Sequence, residues 1–305
     1  MRFTIYQESR QGGRPNNEDR IAHSYSRDAL LMVVADGMGG HHYGEIAAQI
    51  AAQTLVSAFQ REAQPTLADP FLFLQENVDH AHYAILDYAE NHRLRDSPRT
   101  TLVACVVQDN IAYWVHAGDS RLYLIRKNRV IRQTRDHSQV RYMLDEGLIS
   151  PEQAQNHPDR NKVYSCLGSR SLPEVEFSRP TPLESGDLLL LCTDGIWGAT
   201  SNDALLTALR DANLMEAAPR FIRQLETESG PGGDNLSLVV ARWEEDYEES
   251  GPSSVSTDTM GAREVNTILD DFGHRVRAKP DLSDEEIEAA IQEIHAAIAK
   301  FSSKK

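Results

Sequence analysis

Cysteine is scarce in this chain, with three in 305 residues, at positions 105, 166 and 192. An odd, widely spaced set has neither metal-ligand spacing nor the pattern of a disulfide framework. Each reads as a small buried apolar residue in a reducing compartment. Long hydrophobic runs are also missing. No segment approaches the roughly 20 apolar residues that a membrane-spanning helix needs. The opening stretch MRFTIYQESRQGG has no apolar core of signal-peptide length. The expectation is a cytoplasmic protein without a membrane partner. Positive charge is outnumbered, 31 Lys and Arg against 46 Asp and Glu, for a net charge of -15. Such a surface repels nucleic acid and anionic lipid, so neither is an expected partner. No internal repeat is visible.

What is present is a globular composition, 40% apolar and 25% charged, long enough for one large domain or two ordinary ones. Residues 30–34, LLMVV, form a strand-length apolar run that ends on Asp36 and a glycine cluster. A helical pattern follows from Gly44, with Ala47, Ile50, Ala51, Leu55, Ala58 and Phe59 on one face, and another covers about 70–93. Strands are expected at 101–107 and 111–118. Only a short QDN link separates them, which requires an antiparallel hairpin. A second hairpin turns at Lys127-Asn128. Residues 137–170 read as a small helical insert: one helix ends near Gly147, and another starts with a capping box from Ser150 to Gln153. Strands at 187–194 and 235–243 flank helices at about 202–211 and 214–228. This mixed order predicts an α+β fold in which helices cover largely antiparallel sheets.

Four acids share one design. Asp36, Asp194, Asp234 and Asp119 all sit where apolar strands begin or end, each beside a glycine. One Asp-Gly turn is ordinary. Four of them point to carboxylates converging on one sheet edge, where they must protonate or be neutralised. Hard oxygen donors favour Mg²⁺ or Mn²⁺ over Zn²⁺. A pair of such ions can lower the pKa of a water and aim it at an electrophile. The segment GGRPNNEDR, residues 12–20, adds Glu18, Asp19 and the planar donor fork of Arg14, which suits a phosphate.

The segments RPNNEDR, VVADGMGGH, TTLVACVV, AGDSRLYLIR, DHSQV with GLISPEQAQNHPDRN, LLLCTDGIW and GGDNLSLVV occur in one order. In that order the chain resembles the metal-dependent Ser/Thr protein phosphatases of the protein phosphatase 2C type, over about residues 2–243. The bacterial branch, with a helical flap at the place of the 137–170 insert, is the nearest match. The resemblance implies a four-layer α-β-β-α sandwich of two mainly antiparallel sheets flanked by helices, with a small helical flap. It implies hydrolysis of phosphoserine and phosphothreonine in proteins by a water activated on two Mn²⁺ or Mg²⁺ ions, in opposition to a cognate Ser/Thr kinase. Asp36 would bridge both ions, the Gly37 carbonyl would bind one, and Asp194 and Asp234 would complete the other. Glu18 would act through a water, and Asp119 would help hold a weaker third ion. Arg14 would clamp the substrate phosphate, and Asn235 would support the site. Two departures stand out. Met38 occupies a position where many eukaryotic relatives have histidine, and Arg99 stands where a glycine is usual. His41 and His42, close in sequence, are read as solvated or supporting.

The alternative reading is a catalytically weak module that binds phosphoproteins. Loss of a metal-bridging acid would favour it, and all the expected acids are present. Beyond Trp243, residues 244–261 hold six acids and no basic residue. The expected division is a catalytic domain at 1–243, an acidic flexible linker at 244–282 and an amphipathic helix at 283–305, which would dock on this chain or on a partner.

Overall fold

The computed structural model describes residues 1–38, 43–155, 157–160, 162–210, 213–244 and 254–270. The chain opens with β1 (Arg2–Arg10), β2 (Asp19–Tyr25) and β3 (Ala29–Met38), then α1 (Gly44–Glu62) and α2 (Pro70–Asn91). Five strands follow: β4 (Arg99–Thr100), β5 (Leu102–Gln108), β6 (Ile111–Ala117), β7 (Arg121–Arg126) and β8 (Arg129–Gln133). The insert holds α3 (Gln139–Asp145) and α4 (Pro151–Gln155). Then come β9 (Glu176–Phe177), β10 (Thr181–Pro182), β11 (Leu188–Cys192), α5 (Asp194–Trp197), α6 (Asn202–Leu209), α7 (Leu214–Ser229) and β12 (Leu236–Glu244). Two short strands, β13 (Val255–Ser256) and β14 (Asn266–Leu269), come last.

The strands form two sheets, ordered β13-β1-β12-β11-β7-β8 and β10-β6-β5-β3-β2-β14, and the paired strands are antiparallel. Both faces of each sheet are covered, which explains why the central strands read as unbroken apolar runs. Along β3 the side chains alternate between two cores. Leu30, Met32 and Val34 pack between the sheets with Leu189, Leu191 and Val239. Leu31, Val33 and Ala35 pack outward against Ala47, Ala51 and Leu55 of α1. The outer face of the other sheet meets α6 and α7 through Leu190, Leu205, Leu209 and Ile222. This is the four-layer sandwich.

Local chemistry fixes the turns. Asp109-Asn110 and Lys127-Asn128 all have positive φ, between 49° and 60°. Two consecutive residues of that kind make the tight turn whose twist matches an antiparallel hairpin. In the insert, the Ser150 amide donates to Gln153 Oε1 and the Gln153 amide to Ser150 Oγ, completing the expected capping box. The base of the insert is closed by an antiparallel bridge between Ser138 and Val163.

The linker expectation needs correction. Within 244–282, β13 pairs with β1 and β14 pairs with β2, so the segment adds an edge strand to each sheet. Acids are frequent in it, yet Val255, Val265 and Leu269 are spaced to pack onto the existing cores. Thr257, fully buried between the two strands, donates to the Arg27 carbonyl. Both additions cover sheet edges that would otherwise offer unpaired amides. The expected helix at 283–305 lies outside the described residues. A chain ending at Asp246 should therefore fold but melt roughly 5–10 °C lower, the loss expected for a few half-buried apolar side chains and two short ladders. A calorimetric scan showing an unchanged melting temperature would refute this role for β13 and β14.

Candidate metal centre and phosphate site

The alternation that builds the core also aims the acids. Val34 faces the space between the sheets, so Asp36, two residues on, does too. Ile21 has the same orientation on β2, which puts Asp19 on that face, directly opposite Asp36 in the strand register. Like charges in such cross-strand pairs repel. Asp194 opens α5 at the end of β11, and Asp234 stands just before β12 in the facing sheet. Asp119, only 5% exposed, follows β6.

The electrostatics register this crowding. Burial, then repulsion from Asp19, Asp194, Asp119 and Asp234, raises the Asp36 pKa well above the ordinary carboxylate range. Burial followed by Asp194 does the same to Asp119. Burial and Asp234 push Asp194 up to about 6. Glu18 rises to about 7 through burial and Glu45, and Asp19 to about 7 chiefly through burial. A set of hard oxygen donors, each destabilised as an anion by the others, suits divalent cations.

Backbone geometry around the acids is tightly held. The Asp36 amide donates to Thr101 Oγ1, and its carbonyl accepts from the Thr101 amide and from Thr100 Oγ1. A Cβ on Gly37 would lie 2.4 Å from the Gly44 backbone and 2.6 Å from the Glu18 carbonyl. A Cβ on Gly44 would lie 2.5 Å from Glu18 Oε2. Side chains at 37 and 44 would fill the space beside Glu18, which explains the glycines after the strand. Asn235 ties the 11–18 loop to the start of β12: Oδ1 accepts from the Glu18 amide at 2.9 Å, and Nδ2 donates to the carbonyls of Gln11 and Asn16. The Asp119 carbonyl accepts from Trp197 Nε1. The Arg121 guanidinium lies 3.6 Å over the Trp197 ring and grips Asp136 with two hydrogen bonds.

Arg14 is held in an unexpected way. Nε and Nη2 donate to the two carboxylate oxygens of Asp234, at 2.8 and 2.6 Å. The predicted phosphate clamp thus grips a predicted metal ligand. Every predicted site residue, Arg14, Glu18, Asp36, Gly37, Asp119, Asp194, Asp234 and Asn235, lies where the ends of the two sheets meet. His41 and His42 lie outside the described residues.

Sequence reasoning noted Asp19 as an acid and gave it no place in the site. It is 1% exposed and accepts from Thr193 Oγ1 at 2.9 Å. Counting two residues back from Ile21 along an alternating strand would have found it. A second grouping, His116, His137 and Glu176, was also not anticipated. The Gly118 amide donates to His137 Nδ1, which leaves the proton on Nε2, facing the Glu176 carboxylate. Imidazole in that tautomer presents an N–H, 3.7 Å from a Glu176 carboxylate oxygen, and has no lone pair there for a metal.

An α-β-β-α sandwich with carboxylates gathered where the ends of both sheets meet defines the class of fold and site that the motifs anticipated. The chain belongs to the protein phosphatase 2C family, whose model, described as protein phosphatase 2C, matches residues 7–237. It is similar to the serine/threonine protein phosphatase PstP of Mycobacterium tuberculosis, 35% identical over 228 residues, which are 75% of this chain and 42% of PstP. The chain thus spans less than half the length of that relative. It is also similar to the protein phosphatase PhpP of Streptococcus pneumoniae, 33% identical over 77% of this chain and 95% of PhpP. Among solved structures, the catalytic domain of PstP in complex with two manganese ions matches with a TM-score of 0.68 and 32% identity, over 80% of this chain and 99% of that one.

The raised pKa values have a consequence for stability. Between about pH 4 and 7 the folded chain keeps protons on Glu18, Asp19 and Asp194 that an unfolded chain has released. Folding stability therefore falls as pH rises through that window. Protein freed of metal by a chelator should melt at a lower temperature at about pH 7.5 than at about pH 5, and added Mn²⁺ should recover the loss at the higher pH. A pH-independent melting temperature in chelator, or no Mn²⁺ response, would contradict the repulsion described here.

Proposed function

We propose that this protein is a metal-dependent phosphoprotein phosphatase acting on phosphoserine and phosphothreonine, and that it works in the cytoplasm against a Ser/Thr kinase. The observation that carries the reading is the convergence of Asp36, Asp119, Asp194 and Asp234 from both sheets beside the Arg14 fork. Membership of the family and the likeness to PstP, PhpP and a manganese-bound catalytic domain support it. Asp36, the Gly37 carbonyl, Asp194 and Asp234 would hold two Mn²⁺ or Mg²⁺ ions, with Asp119 holding a weaker third and Glu18 acting through a water. When bound, such ions neutralise charge on the phosphoryl group and supply a nucleophile at neutral pH.

The chain's own residues do the rest. Arg14 leaves Asp234 and offers the same two parallel donors to the phosphate, whose spread of charge matches a guanidinium fork. Asn235 keeps the Arg14 loop in register with the acids. Buried cysteines take no part: burial holds Cys192 up at about 12 and also raises Cys105 and Cys166. No thiolate is thereby available for a covalent step. Met38 has no proton to give, so the leaving alkoxide takes its proton from water.

The direct test is hydrolysis of a phosphothreonine peptide with Mn²⁺, before and after chelation. Absence of metal-dependent turnover would sink the reading. Asp36→Asn should lower kcat by about a hundredfold or more while leaving the fold intact. It should also raise the melting temperature of the chelated protein, since a neutral amide replaces a carboxyl that burial and its neighbours keep from ionising. Arg14→Ala should raise KM by about tenfold, the usual scale for a lost charged hydrogen-bond pair. It should not weaken Mn²⁺ binding, because it frees Asp234. Calorimetry showing a large loss of Mn²⁺ affinity in Arg14→Ala would contradict the phosphate role.

A further inference from the structure

Past Asp36, β3 continues for two residues and pairs with β4, Gly37 opposite Thr100 and Met38 opposite Arg99. Residues two apart on a strand share a face, and so do cross-strand partners. Arg99 therefore stands on the face that Asp36 occupies, about 7 Å further out along the strand. Its backbone is tied to the site and to the segment that returns from the insert. Thr100 Oγ1 donates to the Asp36 carbonyl, and the amides of Thr100 and Leu167 each donate to the other's carbonyl at 3.2 and 2.9 Å. Gly168, at φ +77°, lies so close that a Cβ there would be 2.1 Å from the Pro98 carbonyl. Arg170, two residues on, is 81% exposed, with Nη2 3.5 Å from the Arg95 carbonyl and 3.9 Å from Asp96.

Arg99 differs from the arginines already bound to acids near the site and the core. Arg14, Arg121 and Arg126 each grip a carboxylate with two short hydrogen bonds. The Arg99 side chain is exposed and makes no hydrogen bond or ion pair among the described residues. A guanidinium without a carboxylate partner among the described residues, carried on a strand paired to the one that ends in Asp36, stands out in a protein of net charge -15. It can receive an anion that arrives with the substrate.

We propose that Arg99, backed by the charge of Arg170, recognises a second anionic group on the phosphoprotein substrate, one to three residues from the phosphorylated Ser or Thr. This deepens the phosphatase reading above and rests on it. The spacing follows from the geometry, because 7 Å is about two residues of extended peptide. The anion is either an Asp or Glu side chain or a second phosphate; the chemistry of recognition is the same.

The test compares phosphothreonine peptides in Mn²⁺ that differ only near the phosphoresidue: neutral, Glu-flanked, doubly phosphorylated and Lys-flanked. Turnover of the neutral peptide reports on the phosphatase reading alone, and the ratio of kcat/KM between anionic and neutral peptides reports on Arg99. The unaltered protein should favour an anionic peptide by about three- to fivefold, the scale of one exposed charge pair, mostly through KM. The preference should shrink as salt is added. Arg99→Ala should bring the ratio to about one, Arg99→Lys should restore part of it, and Arg99→Glu should move the preference to the Lys-flanked peptide. The Glu-flanked and doubly phosphorylated arms identify which anion is read. A ratio near one in the unaltered protein overturns the proposal. So does a ratio that survives in Arg99→Ala, or an Arg99→Ala loss that is equal for all four peptides.

Discussion

Mutual repulsion among buried carboxylates is the constraint to which the rest of this molecule answers. Asp19 faces Asp36 in the strand register, and Asp119, Asp194 and Asp234 add to the same field. A fold does not tolerate such a cluster unless its surroundings over-determine it. Here the surroundings are the strand ends themselves. Thr100 and Thr101 bind the backbone of Asp36, Thr193 binds Asp19, and Asn235 stitches the Arg14 loop to β12. The large apolar cores on both faces of each sheet supply the stability that the site consumes. The polar cluster is thus positioned by elements whose own packing does not depend on it.

Much of this was legible in the sequence because the sheets are buried on both faces. Continuous runs such as LLMVV and LLLLC could only be interior strands, and the acids at their ends could only converge if the strands shared an edge. Hairpin turns were legible from the short links at Asp109-Asn110 and Lys127-Asn128, where positive φ is needed twice in succession. Other features were hidden for physical reasons. Asp19 follows another acid in a polar loop, and its burial comes from pairing with β3 and from Thr193, far off in the sequence. β13 and β14 are two and four residues long, too short for any periodicity to show. They exist because open sheet edges sit ready to receive them, which is a property of the fold and not of the segment. The grouping of His116, His137 and Glu176 likewise comes from three separate elements.

Arg14 shows why a residue's chemistry and its observed contact can differ without conflict. A guanidinium fork fits a carboxylate and a phosphate by the same geometry. Here the fork closes on Asp234. The pair also removes one charge from the repelling set.

The charge of the whole molecule sets the remaining problem. A net charge of -15 repels a phosphopeptide at long range, although salt limits that field to about 8–10 Å. Within that distance only local charge matters, and the mouth of the site is where the local sign changes. Arg14 at one wall is occupied by Asp234, so it contributes little net field until released. Arg99 and Arg170, at the wall made by β4 and the return from the insert, are exposed and face solvent. The strand geometry sets this arrangement: two residues beyond Asp36, β3 is paired with Arg99, on the same face and nearer the strand's end.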